Sequence, residues 1–274
     1  MRISFSFKIG IGLTLLFFIS AICAPLIAPY TPYEQNLYAT LAPPTSLHIM
    51  GQDGLGRDIL SRILYGSKIS IIVGLTVVAI SSVVGTIIGV VSALVGGRED
   101  QIIMRVTDMF LSFPGILLAI AVMASLGPGL INIIISLSIV GWTTFARLAR
   151  SQALVVKEKE FVIAAIGLGA SHGQVIFYHI IPNILAPIIV EASFAVAGAI
   201  LAEAGLSFLG LGVQPPDPSW GMMLAEGRKF ILIAPHLTIF PGLAIMFTVM
   251  GINFLGEGLR NILDPKREFI EKTL

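Results

Sequence analysis

Apolar positions in this chain gather into long runs, separated by a few shorter polar stretches. About 20 mostly apolar residues suffice for a helix to cross the hydrocarbon core of a bilayer. Six segments reach that length: 9–28, 69–95, the two halves of the uncharged run Met109–Ala146, 183–205 and 236–257. Gly127-Pro128-Gly129 divides the long run, because such a triplet favours a turn. The predicted fold class is an all-α membrane protein with six transmembrane helices. Pro114 and Pro241 lie inside spans three and six and predict kinks. Gly85 and Gly89 form a small-residue pair in span two, which lets another helix approach closely.

Three polar stretches are longer than simple turns. In 29–68, Asp58 to Lys68 places Ile59, Leu60, Ile63 and Leu64 on one helical face, which predicts a short helix lying on the outer membrane surface. The stretch 206–235 is apolar at both ends, with Pro215-Pro216-Asp217-Pro218 between. It predicts a loop that dips back toward the membrane over the mouth of a pathway, with Trp220 as an interfacial anchor. The stretch 147–182 reads as a helix–turn–helix loop. Ala164 and Ala165 allow close approach, Gly169 allows a sharp turn, and Pro182 suits the start of the next helix.

Composition agrees with the pattern. The 274 residues are 55% hydrophobic and 12% charged, against about 25% charge in soluble domains. A net charge of +1 gives no reason to expect nucleic acid binding. The lone Cys23 rules out an internal disulfide and reads as a small buried hydrophobe. Arg2 and Lys8 precede an apolar run too long for a secretory signal, so it is read as a retained first span. The Lys and Arg distribution sets orientation. The side holding the N-terminus, the 96–105 turn, 147–182 and the C-terminus carries twelve of the seventeen basic residues. Both termini and 147–182 are therefore expected in the cytoplasm.

The 147–182 stretch resembles the docking loop of binding-protein-dependent ABC importer permeases: Glu-Ala-Ala, three residues, Gly, nine residues, an apolar residue, one more, an aliphatic residue, Pro. Ala164, Ala165, Gly169, Ile181 and Pro182 stand at matching places. Ile163 replaces the glutamate, with Glu160 the nearest acid, and His179 takes the first apolar position. GQDGLGRDILSR, YGSKIS and AEAGLSFLGLGVQPPDPSWG extend the likeness to the C-type permeases of dipeptide, oligopeptide and nickel importers. The resemblance implies a type I core at 67–258, preceded by an N-terminal helix and outer segment at 1–66 and followed by a cytoplasmic tail at 259–274.

It also implies an inner-membrane subunit that pairs with a second, homologous permease. Two ATPase subunits below would bind ATP and Mg, with no cofactor in this chain, and an extracytoplasmic binding protein would deliver cargo from above. Glu160, Ala164, Ala165, Gly169 and Pro182 would form the ATPase-docking element. The implied cargo is di- or oligopeptides, with nickel, nickel chelates or oligosaccharides as alternatives. Glu203, Trp220 and Arg228 are candidates for the pathway or its outer gate.

The remaining chemistry supports a transporter subunit and no enzyme. A phosphate-binding loop GxxxxGK[ST] is missing, since Gly66-Ser67-Lys68 lacks the upstream glycine and the Gly-Lys pair. Gly167-x-Gly169 follows a helix and lacks a third glycine. His48, His172, His179 and His236 show no metal-ligand spacing. Glu191 and Glu203 lie twelve residues apart in span five, ~18 Å along a helix, and cannot share one site. Glu203 either lines the pathway or anchors the 206–235 loop through a cation such as Arg228. Glu191 is expected to pair with the partner permease. The rival class is a self-contained secondary transporter, against which the charge-free spans two, three and four argue.

Overall fold

A computed structural model describes residues 4–263. Arg2 and the expected tail from residue 264 onward lie outside the described residues. Among the described residues the regular structure is helical, apart from one isolated bridge between Gln52 and Asp58. Five helices are long and apolar enough to cross a membrane, or six when one bent pair is taken as a single span.

The first span is α1 (Phe5–Ile22), followed at the half-buried Cys23 by a single turn, α2 (Ala24–Ile27). The second is α3 (Ile59–Val95), 37 residues long and therefore about 55 Å from end to end. The surface helix expected at 58–68 is not a separate element but the beginning of α3. Asp58 caps it by accepting from the Ser61 N–H at 2.8 Å, which satisfies an otherwise orphan donor. Ile59 and Ile63 are buried in a core with Ala204, Trp220, Met223 and Leu237, so this apolar face meets protein and not lipid. Helix α3 is continuous across residues 66 and 67.

Span three also differs from expectation. Met109 to Leu126 is not one rod: α4 (Gly97–Ser112) and α5 (Gly115–Leu126) meet at an 88° bend. Phe113 is extended there (ψ 140°). A residue before proline is pushed out of the α region, and Pro114 supplies no N–H to continue the ladder. The bend is thus a full break, more than the expected kink. Polar α4 is held to α6 (Leu130–Val156) by two ion pairs. Arg150 grips Asp100 with two bonds of 2.6 Å, and Arg147 reaches Asp108 at 2.6 Å.

Helices α3 and α6 run side by side in the same direction. Gly85 and Gly89 face the backbone of Trp142, Ala146 and Arg150, and a Cβ at either would overlap those atoms. The small-residue pair therefore packs within the subunit.

The 147–182 stretch is helix, turn and helix, as its pattern predicts, with most of its residues helical. Helix α6 extends to Val156; α7 (Glu160–Gly167) follows; then α8 (His172–Gln174) passes through a π segment (Val175–Ile180) into α9 (Ile181–Phe208). The fifth span is consequently one helical rod from His172 to Phe208. Pro182 sits in the first turn of α9, just after the widened π turn, which accommodates the missing N–H and the ring. Helix α10 (Trp220–Gly227) lies between α9 and α11 (His236–Leu263). Pro241 falls within α11 and is buried.

Close approaches fix the directions. Gly10 of α1 faces Phe254 and Leu255, and Gly258 faces Phe7, so α1 and α11 are antiparallel. Gly74 of α3 faces Val196 and Ile200, and nearer its start Gly66 faces Trp220 of α10, whose neighbour Gly221 packs on Ala204 and Ser207 near the end of α9, so α3 and α9 are antiparallel. One end of the bundle thus carries the starts of α3 and α11 together with α10. The opposite end carries the start of α1, the ends of α3, α6 and α11, and α7.

Candidate functional site

Helix α7 projects an unpartnered apolar face at its end of the bundle. Val162 is buried and anchors the helix, whereas Ile163 is 58% exposed and Leu168 89% exposed, with Ile166 and Ala164 also exposed and Ala165 half-buried. Glu160 is exposed in the first turn, where a carboxylate complements the helix dipole. The exit is fixed by Gly169 at φ +87°. The Ala170 N–H donates to the Ala165 carbonyl and the Gly169 N–H to the Ile166 carbonyl, both at 3.0 Å. This is a Schellman closure, which calls for a left-handed residue at that place. Ser171 and Gln174 then form a capping box that starts α8. Phe177 and Tyr178 of the π segment are exposed beside α7. The structure thus brings Glu160, Ala164, Ala165 and Gly169 onto one protruding element. Pro182 stands apart from them, in the first turn of α9, and is exposed.

The α6 end supports this element. Lys157 donates to the Ala93 carbonyl at 2.9 Å, and Ser92 donates to Asp100, the partner of Arg150. The ends of α3, α4 and α6 are tied together directly before α7 begins.

Between α3, α5, α6 and α9 lies a cleft of about 340 Å³, lined by Ser81, Ile116, Thr144, Phe145, Glu191 and Ala199 among others. A second, apolar hollow of about 640 Å³ shares Ile116, Gly198 and Ala202 with it and runs toward Leu224 and Ile245. Cavities in the middle of a bundle, flanked by helix backbone at a break such as Phe113-Pro114, fit the rule that irregular backbone at membrane depth faces protein or water.

The three residues proposed near the outer mouth are separated in role by their contacts. Glu203 is fully buried, and its carboxylate accepts from Ser207 at 2.6 Å, one turn further along α9. Arg228 lies 5.0 Å from the centre of the Phe208 ring and makes no ion pair with Glu203, so of the two alternatives for Glu203 the Arg228 anchor is not formed. Trp220 is only 2% exposed and its indole N–H donates to the Ile63 carbonyl at 3.0 Å. It is a buried strut between α10 and α3, not an interfacial anchor.

Sequence reasoning missed the polar core at this end. Arg57 is bonded to Asp53 at 2.7 Å and to Glu226 at 3.1 Å, while Arg62 lies 3.4 Å from Asp53 and donates to the Pro32 carbonyl at 3.3 Å. Two guanidiniums and two carboxylates neutralise one another where few of their atoms reach water, as buried charges require. Asp58 also binds His48 at 2.9 Å, and His48 stacks on Tyr30. Tyr33 donates to Asp217 at 2.9 Å, which raises its phenol above the ordinary range. Together these contacts lash the 29–58 segment to α3, α10 and the proline loop. The only signal in the sequence was the density of charges around Gln52-Asp53-Gly54.

The parallel α3–α6 pair, the broken α4–α5 span and the protruding α7 define an all-helical permease fold of the ABC importer kind. The chain belongs to the family described as the binding-protein-dependent transport system inner membrane component, which it matches over residues 85–269. Residues 6–44 match the N-terminal TM domain of oligopeptide transport permease C, which assigns the chain to the C-type branch of these permeases. It is similar to the dipeptide transport system permease protein DppC of Alkalihalophilus pseudofirmus, 45% identical over 94% of this chain and 85% of that one. It is also similar to the probable D,D-dipeptide transport system permease protein DdpC of Escherichia coli K12, 45% identical over 92% of this chain and 84% of that one. The di/tripeptide transport system permease protein DppC of Pseudomonas aeruginosa is 41% identical over 94% and 87% of the two chains. Among solved structures, a chain of the MetNI methionine ABC transporter in an inward-facing form has a TM-score of 0.61, with 15% identity, over 74% of this chain and 96% of that one. That likeness shows the fold. The chain is thus a multi-pass inner-membrane permease subunit of an ABC importer, and the rival reading as a self-contained secondary transporter is set aside.

Proposed function

We propose that this subunit forms half of a translocation pathway for di- or oligopeptides and couples it to ATP hydrolysis through α7. The single observation that carries the coupling is the exposed apolar face of Ile163, Ala164, Ile166 and Leu168, projecting from the bundle end. A contiguous exposed apolar face of that kind marks an interaction site. Two ATPase subunits, each docked on one permease, would cover it, with ATP and Mg bound in those chains. A second, homologous permease closes the clefts beside α5 and α9, and an extracytoplasmic binding protein delivers cargo at the α10 end. The excess of basic residues at the α7 end supports its placement in the cytoplasm together with both termini. Peptide cargo is supported by the names of the relatives.

ATP hydrolysis by the complete complex, reconstituted in lipid with its cognate binding protein, tests this reading. Stimulation by dipeptides or longer peptides is the expected result. Stimulation by nickel alone, or failure of any ATPase to co-assemble, overturns it.

A further inference from the structure

The cleft between α3, α5, α6 and α9 contains one carboxylate, and nothing in the fold explains it. Glu191 is half-buried on a spanning helix and, among the described residues, has neither an ion pair nor a hydrogen bond. An ionisable group within a membrane-spanning segment is costly unless it serves a partner. Ser81 gives a second, independent sign. Its side chain is 2% exposed and lines the same cleft, yet its hydroxyl has no hydrogen-bond partner. A buried hydroxyl left unpaired costs free energy, and a polar group entering the cleft would supply the missing partner. Thr144 adds another hydroxyl to the lining.

Helix register places these groups at one level. Gly74 faces Val196 and Ile200 across the antiparallel α3–α9 contact. Seven residues further along α3 is Ser81, a shift of ~10 Å. The same shift along α9 in the opposite sense reaches the turn of Glu191. From the third side, a Cβ at Gly141 of α6 would stand 2.6 Å from the Ser81 hydroxyl. The glycine therefore leaves room for that hydroxyl beside α6.

We propose that Glu191, Ser81 and Thr144 form an ammonium-binding site inside the translocation cleft, which holds a positively charged amine of the cargo during transit. The inference rests on the peptide-import reading. A carboxylate flanked by hydroxyls and otherwise apolar walls suits a compact, strongly hydrogen-bonding cation, and the charge-assisted bonds compensate for the lost hydration. About 340 Å³ falls within the ~300–1,000 Å³ range of small-molecule sites. In a peptide the amine is either the N-terminal ammonium or a lysine side chain, and the two are distinguishable.

The test is uptake into vesicles by the full complex with its binding protein, comparing the wild type with Glu191→Gln and Ser81→Ala. The cargoes are a dipeptide with a free N-terminus, the same dipeptide N-acetylated, and an N-acetylated dipeptide that contains lysine. Affinity of the binding protein for each is measured separately. The expected result is a loss of about tenfold or more in amine-bearing cargo uptake by Glu191→Gln. Ser81→Ala loses less, Glu191→Asp restores part of the rate, and the fully blocked dipeptide moves equally through wild type and variants. ATP hydrolysis stimulated by loaded binding protein remains. Loss for the free N-terminus alone assigns the N-terminal ammonium; loss for the lysine cargo as well assigns amines in general.

Equal uptake of amine cargo by wild type and Glu191→Gln overturns the proposal. So does an equal fall for amine-bearing and fully blocked cargo. Failure of Glu191→Gln to assemble with the second permease also overturns it, since the carboxylate would then be an intersubunit ion-pair partner. A wild-type complex that imports no peptide at all refutes the peptide-import reading itself, and this proposal falls with it.

Discussion

The indole N–H of Trp220 donates to the main-chain carbonyl of Ile63 at 3.0 Å, although 157 residues separate them in sequence. The bond joins α10 to the first third of α3. Gly66 of α3 and Phe17 of α1 lie against the same indole, the Phe17 ring 5.8 Å away, so one side chain joins three helices.

Replacing Trp220 separates packing from hydrogen bonding. Trp220→Phe keeps most of the buried area and loses the donor, for an expected cost of about 1 kcal/mol. Trp220→Ala also opens a cavity and is expected to cost roughly 3–5 kcal/mol. Thermal unfolding of the purified subunit complex in lipid nanodiscs should rank wild type, Phe and Ala in that order. Equal midpoints for all three would show that α10 is held by other contacts.

The paired charges at the same end respond asymmetrically. Asp53→Asn leaves Arg57 and Arg62 buried with only Glu226 for company, and breaking such a group costs roughly 3–5 kcal/mol. Glu226→Gln is milder, because Glu226 is already partly in contact with solvent. Proteolysis of membranes under native conditions should cut the 29–58 segment faster in Asp53→Asn than in Glu226→Gln.

Steric predictions at the α3–α6 contact are sharper. Gly89→Leu forces a side chain into the Ala146 carbonyl and the Arg150 backbone N, and overpacking of this kind costs about 1–3 kcal/mol or more. Gly12→Ala in α1 meets nothing within 4 Å and should be neutral. Membrane abundance of tagged variants checks both: Gly89→Leu should fall severalfold, and Gly12→Ala should match wild type.

What the sequence made legible follows from which interactions are local. Gly169 was readable because a left-handed helix exit is a one-residue requirement. The six apolar runs were readable because hydropathy sums over consecutive residues. Hydropathy carries no direction, so the uncharged run Met109–Leu126 concealed the 88° break at Phe113-Pro114. The polar start of α3 looked like a surface helix because the partners of Arg62, namely Asp53, Pro32 and Glu226, are distant in sequence or outside the helix. Charge alone offers Arg228 as one possible partner of Glu203 but does not select it. In the fold, Ser207 supplies the Glu203 bond and Phe208 receives the guanidinium.

At the helix exit, Gly169→Ala must hold an L side chain at φ +87°, a penalty of about 1 kcal/mol. The turn is expected to loosen without loss of the bundle. Peptide uptake should fall severalfold while the amount of assembled complex stays at the wild-type level, as measured by transport and co-purification on the same membranes. Unchanged uptake would show that the exit geometry is dispensable.

Helix α7 is expected to transmit ATPase motion to the permease. Ala165→Trp tests it most directly, with peptide uptake, binding-protein-stimulated ATP hydrolysis and ATPase co-purification measured together on the reconstituted complex. Normal insertion of the permease, weakened retention of the ATPase subunits and loss of uptake are expected, because a bulky side chain holds the two surfaces apart. Wild-type uptake and full ATPase retention in Ala165→Trp would contradict docking at α7.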